Sequence, residues 1–382
     1  MPSHSLKLEH SSLATFRAAN VYLLACAVRG DCSSGHPQVG VAPVQVSDLG
    51  EFGLIERLAA HLPSRPDVIL STGDDAALVD LGTAALLVAT VDAQVDGRHF
   101  LRAVATPEEI GHKALAVNLS DIAAMGAEPL WALVSLLVPP ATDVALLDGI
   151  YAGMAALAQS FAVAIVGGNV AATSGPLALD VTLLGRVQRH RAVLRVGARQ
   201  GDVLCVTGSL GAAAAGLLLA TADDLQMQIS PELREAARKS LVAPTPRVRE
   251  GQILATGGAV TAMIDISDGL AADLGHLCVA SGVGALLEVE RIPVHPAAAQ
   301  VALARGQDAV LFALAGGEDY ELLLSVPPDG LDAALRMVGE VGGVARQIGT
   351  ITNSPGTLGL QSGDGTVSVL DAAGWDHLRP TR

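Results

Sequence analysis

The hydrophobic pattern becomes regular only after residue 48. Upstream, Ser, His, Gly and Pro are frequent and neither a strand nor a helix period persists. From Gly50-Glu51-Phe52 onward, apolar runs of strand length alternate irregularly with amphipathic runs of helix length. The spacing predicts helices over 54–61, 107–125, 143–161, 209–221, 231–241, 247–256, 270–280 and 331–338. It predicts strands over 67–70, 84–92, 130–138, 162–166, 177–187, 203–206, 284–290 and 321–326, with short strands following the last helix. Prolines punctuate the pattern: Pro63 and Pro66 end the first helix, Pro107 opens the second, and Pro129 and Pro139 bound a strand. Such irregular alternation favours two mixed α/β domains, an α+β organisation. A chain of 382 residues also exceeds one typical core. The expected division is a leader over 1–48, disordered or a misassigned start, then domains over 49–188 and 189–382.

Composition narrows the function classes. Half the residues are hydrophobic and mean hydropathy is +0.44, yet no apolar run reaches membrane-spanning length. The net charge of −15 argues against nucleic acid as a partner. The four cysteines (Cys26, Cys32, Cys205 and Cys278) form no CxxC pair. Cys205 and Cys278 fall in strand and helix patterns and read as buried free thiols, which suits a reducing cytoplasm.

The charge is concentrated in a recurring design. Ile264-Asp265-Ile266-Ser267-Asp268-Gly269-Leu270 places two carboxylates and a hydroxyl between a strand end and a helix start. Alone, Ser267 or Asp268 could simply cap that helix. But Asp74-Asp75, Asp92, Asp121 and Glu318-Asp319 also stand beside glycine or at predicted element ends. Beyond the leader, Lys113 and Lys239 are the only lysines. Hard oxygen ligands of this kind suit Mg²⁺, which binds carboxylates together with substrate phosphates and offsets charge in phosphoryl transfer. No GxxxxGK[ST] phosphate loop is present. Gly167-Gly168-Asn169 and Gly316-Gly317-Glu318 read either as ordinary turns or as turns that let phosphate approach the backbone. On their own, His99 reads as structural, Tyr151 as core, and Trp375 as a core plug or an aromatic lid.

Taken in order, Gly50-Glu51-Phe52, Gly73-Asp74-Asp75, Thr90-Val91-Asp92, Gly97-Arg98-His99-Phe100, the stretch from Asn118 to Gly126, Gly167-Gly168-Asn169, the stretch from Ile264 to Leu270, and the stretch from Gly316 to Leu322 resemble the thiamine-monophosphate kinase family. The terminal Gly374-Trp375-Asp376-His377 adds to the likeness, which covers about 49–378. The wider superfamily includes aminoimidazole-ribonucleotide synthetase. The resemblance implies two α/β domains, with N-terminal sheets pairing across a homodimer, and ATP held between domains by several Mg²⁺ ions. The first domain would bind ATP and Mg²⁺ and the second would complete the substrate site. The implied reaction converts ATP and thiamine phosphate into ADP and thiamine diphosphate. Carried over by position, Asp75, Thr90, Asp92, Asp121, Asp265 and Asp268 match metal-binding positions, with Asp75, Asp92, Asp121 and Asp268 central to catalysis. Val91, where a Thr is common, would bind metal through its carbonyl, and Asn169 stands where many members have a metal-binding Asp. Tyr151, Gly168, Asn169, Arg195 and Ser267 match nucleotide contacts; His99, Glu318 and Trp375 match thiamine-phosphate contacts. Two rivals remain: aminoimidazole-ribonucleotide synthetase, and a catalytically idle nucleotide-binding scaffold. Product identity separates the three.

Overall fold

The computed structural model describes residues 45–371. The leader up to residue 44 and Trp375 lie outside the described residues. Helix α1 (Val46–Ala59) precedes a first sheet of β1 (Val68–Leu70), β2 (Ala77–Val79), β3 (Ala85–Val95), β4 (Glu128–Val138), β5 (Ala164–Ala172) and β6 (Ala178–Gln188). Its strand order is β1-β2-β3-β6-β4-β5, antiparallel except for the β4–β5 pair. Alternation along β3 sets the two faces: Leu86, Val88, Thr90 and Gln94 are buried, whereas Val91 is 58% exposed. Helices α2 (Pro107–Ala124) and α3 (Val144–Ser160) pack together, and α2 lies against β3, β4 and β6. The start of α2 is fixed by sequence. Thr106 and Glu109 form a capping box around Pro107, satisfying backbone N–H groups that a helix end leaves free.

The second sheet contains β7 (Val203–Thr207), β8 (Ala262–Asp265), β9 (Gly284–Glu288), β10 (Leu322–Val326), β11 (Ala345–Thr352), β12 (Leu358–Gln361) and β13 (Val367–Val369). The order is β13-β12-β9-β11-β7-β10-β8. Every residue of β7, β8 and β10 is buried, which explains why these strands read as mainly apolar runs without alternation. The helices of this half are α4 (Ala212–Thr221), α5 (Asp223–Gln226), α6 (Pro231–Val242), α7 (Val248–Gly257), α8 (Leu270–Ser281), α9 (Pro296–Ala304), α10 (Ala309–Ala315) and α11 (Leu331–Glu340).

The two halves share one apolar cluster, and the second half keeps two further clusters of its own. One buried cluster runs from Leu86 and Leu115 to Val203, Met263 and Leu322. Helix α2 touches β8, α6 and α7 as well as its own sheet. A Cβ at Gly251 would stand 2.1 Å from the Ala123 carbonyl, so only glycine lets α7 approach α2 this closely. Among the described residues, no helix is long and apolar enough to cross a membrane.

Three expectations change. Gly167-Gly168-Asn169 is no turn: it lies inside β5, where a Cβ on Gly168 would meet the Val134 carbonyl at 1.8 Å. Pro129 lies within β4 rather than bounding it. The pairing of β5 begins only opposite Trp131, so the missing N–H costs no ladder bond to β5. The first helix starts eight residues early, at Val46, because a short helical turn runs into it through a kink at Gly50, whose φ is 71°.

Candidate active site

The acidic residues converge from separate elements. Asp75 comes from the loop before β2, Asp121 from the last turn of α2, and Asp265 from the end of β8. One carboxylate oxygen from each lies within 4.8 Å of those of the others. Thr90 on β3 donates its hydroxyl to Asp121 Oδ2 at 2.5 Å, and Ser120 donates to Asp265 Oδ2 at 2.6 Å. Asp75 has a basic partner that the acidic pattern did not foreshadow. The Arg195 guanidinium donates to Asp75 Oδ1 from both Nε and Nη2, while the Arg195 backbone N–H donates to Asp74 Oδ2. Asp75 Oδ2 is buried with no hydrogen-bond partner.

Crowding like charges out of water raises carboxylate pKa values. Burial, then the Asp75 charge, pushes Asp265 up to about 8. Burial, then Asp92 and Asp265, pushes Asp121 well above its ordinary range. Asp75 is also raised by burial, opposed by Arg195, and Asp74 is pushed up to about 6 by burial and by Asp75. A cluster of oxygen donors, one unpartnered and buried, fits a hard divalent cation.

This cluster borders a cleft of about 590 Å³ lined by both halves and, through Glu51, by α1. Its polar lining includes Asp92, Asp121, Asp265, Ser267, Asp268, His99 and Glu318; its apolar lining includes Val104, Ile110, Leu217, Leu218 and Phe312. His99 Nδ1 accepts from the Val95 N–H at 3.1 Å. Glu318 adopts a φ of 64°, and its N–H donates to the Ser267 carbonyl. The loop carrying Ser267 and Asp268 is not held by either residue acting as a helix cap. Instead, both backbone N–H groups donate to Asp273 Oδ2 at 3.1 Å from within α8.

Tyr151, Gly168 and Asn169 lie elsewhere. Tyr151 is 36% exposed on α3 and does not line the cleft. Gly168 and Asn169 lie on β5, the sheet's far edge, whose register runs Asp92–Val181–Val134–Gly168. Three strand spacings put them about 14 Å from β3. The Val91 side chain points to the exposed face of β3, between Thr90 and Asp92, which leaves the expected carbonyl contact untested. Residues not singled out also enter the site: Gln94, Lys113 and Tyr320 line the cleft. Period-2 spacing from Asp92 could have found Gln94; Lys113 carried no signal beyond its rarity.

Two family descriptions match the chain: AIR synthase related protein, N-terminal domain, over residues 73–187, and its C-terminal domain over 199–360. They place the chain in the AIR-synthase-related class, with its acidic site where the two halves meet. Thiamine-monophosphate kinase of Salmonella typhimurium is 37% identical over 330 residues, covering 86% of this chain and 98% of that protein. The structure of AaThiL complexed with AMPPCP and TMP matches with a TM-score of 0.76 at 32% identity, covering 88% of this chain and all of that one. Thiamine-monophosphate kinase from Stenotrophomonas maltophilia K279a matches at 0.67 and 37% identity, covering 84% and 98%. The chain belongs to the thiamine-monophosphate kinase family.

The raised carboxylates set an expected pH response. Asp265 keeps its proton up to about pH 8 when folded, against an ordinary value of 3.8. Folding therefore takes up a proton between those values, and stability falls as pH rises through that window. In chelating buffer the melting temperature should fall between pH 6 and pH 8, and Mg²⁺ should raise it more at pH 8. An Mg²⁺ effect that is equal at both pH values, or unchanged in Asp121→Asn, would contradict this assignment.

Proposed function

We propose that this chain transfers the terminal phosphoryl group of ATP to the phosphate of thiamine phosphate, giving thiamine diphosphate and ADP. The observation that carries the reading is the cleft itself, lined both by carboxylates of the acidic cluster and by a set of apolar side chains. A polyphosphate and an aromatic, partly apolar acceptor need such a pair of surfaces. Family membership supports the same chemistry.

Asp75, Thr90, Asp92, Asp121, Asp265 and Asp268 would hold Mg²⁺, Asp75, Asp92, Asp121 and Asp268 most closely. Bound Mg²⁺ supplies positive charge against the phosphates. Ser267 and Arg195 would contact nucleotide, with Arg195 meanwhile orienting Asp75. His99 and Glu318 would orient the acceptor, and Trp375 would stack on its rings. The apolar wall excludes water and so favours transfer over hydrolysis. The acceptor oxygen is anionic at neutral pH, so positioning and charge neutralisation replace a dedicated base. The nucleotide reading of Tyr151, Gly168 and Asn169, and the metal reading of Val91 and Asn169, rest on resemblance alone. A cytoplasmic setting fits the free, buried thiols of Cys205 and Cys278.

The purified chain should form thiamine diphosphate and ADP from thiamine phosphate and ATP only with Mg²⁺ present. Aminoimidazole ribonucleotide formed from its formylglycinamidine precursor, with no thiamine diphosphate, would favour the rival enzyme. Nucleotide binding without turnover on any acceptor would favour a scaffold.

A homodimer is the second part of the reading. The open face of the first sheet exposes Val91, Trp131, Leu133 and Leu137 at 58%, 46%, 40% and 41%. Contiguous apolar area of this kind marks an interaction surface. Light scattering should give twice the chain mass, and Leu133→Glu should shift it towards monomer. A monomeric wild-type chain at micromolar concentration would contradict the pairing.

A further inference from the structure

Lys113 is buried in α2 and belongs to none of the roles assigned above. Its side chain is 3% exposed, although it borders the cleft. The ammonium donates to Glu318 Oε1 at 2.7 Å and to the His99 carbonyl at 2.9 Å. It thus ties together the two residues proposed to orient the acceptor, one from each half of the molecule. Removing a lysine from water is costly unless the charge is paired and its donors are used. An ammonium carries three donors, and these two contacts engage two of them.

The partner is constrained as well. Glu318 holds a φ of 64°, and Tyr320 one of 50°. Non-glycine residues keep such conformations only where their surroundings over-determine them. Here the Glu318 N–H donates to the Ser267 carbonyl at 2.7 Å and the Tyr320 N–H to the Ile266 carbonyl at 2.8 Å. These bonds fix the loop backbone on the nucleotide side of the cleft, whereas Lys113 fixes the Glu318 side chain. Without the ammonium, the Glu318 carboxylate would stand uncompensated in a cleft that Asp92, Asp121 and Asp265 also line, facing an anionic acceptor.

We infer that Lys113 is a positioning residue for the acceptor: it fixes the Glu318 carboxylate and the His99 turn at a set separation and neutralises Glu318, thereby setting affinity for thiamine phosphate. This rests on thiamine phosphate being the acceptor. The backbone contacts to the nucleotide loop do not pass through Lys113, so ATP affinity should be largely independent of it.

The test compares full-length wild type, Lys113→Met, Lys113→Arg, Glu318→Gln and the Lys113→Met/Glu318→Gln double variant. It reads KM for each substrate, kcat, and the calorimetric Kd for thiamine phosphate. Lys113→Met should raise KM and Kd for thiamine phosphate by at least about tenfold, below the scale for a fully buried charge pair because Glu318 is 31% exposed. KM for ATP should change little. The double variant should recover part of the loss, because it removes the charge left unpaired. Should Lys113→Met fail to fold, Lys113→Arg carries the test: its planar fork cannot reproduce both contacts, so the acceptor KM should rise selectively while the chain stays folded. Equal changes in both KM values, loss of kcat alone, or no recovery in the double variant would overturn the inference. A wild-type chain that neither binds nor converts thiamine phosphate would defeat the functional reading itself, and the inference with it.

Discussion

Enclosed carboxylates are the constraint on which the rest of the structure depends. Asp75, Asp121 and Asp265 bring oxygens within 4.8 Å of one another, an arrangement that like charges resist. Arg195 and the Thr90 and Ser120 hydroxyls relieve only part of that repulsion, and Asp75 Oδ2 stays unpartnered. Holding the three groups together requires three elements to meet at a fixed point. Helix α2 is the common member, packed on the first sheet, α3, α7 and β8. The continuous apolar cluster across both halves makes that meeting point part of the core rather than a flexible junction.

The same helix organises the cleft. Two turns before Asp121, Lys113 reaches the His99 turn and the Glu318 loop. The loop that carries Ser267 and Asp268 is pinned from the other side by Asp273. The carboxylates, the His99 turn, Glu318 and the loop carrying Ser267 are therefore placed by backbone bonds and buried side chains. Such preorganisation is what phosphoryl transfer asks of a protein, since positioning and charge stabilisation supply most of its catalysis.

Much of this was legible in the sequence. Strand and helix periods located β3, α2, α3 and α8, and three of the acidic residues singled out, Asp75, Asp121 and Asp265, come together in space. What escaped did so for physical reasons. β2 (Ala77–Val79) is three residues long, too short for a period to register. Helices α9 and α10 are alanine-rich and apolar on most sides, so they lack an amphipathic stripe. Gly167-Gly168 reads as a turn because glycine usually marks one, whereas here it allows close strand approach. Asp273 and Lys113 act through partners 5 and 205 residues away, and no local pattern encodes contacts set by packing.

A carboxylate cluster that holds a divalent cation, as proposed for Asp75, Asp121 and Asp265, must trade protons for it. Asp265, with its pKa pushed to about 8, is protonated at neutral pH in the absence of metal and must ionise to coordinate it. Isothermal titration of Mg²⁺ at pH 7, in two buffers of different ionisation enthalpy, measures this directly. Binding should release protons, with the release shrinking towards pH 9 and reduced in Asp265→Asn. Binding heats that are independent of buffer, or proton release unchanged in that variant, would contradict it.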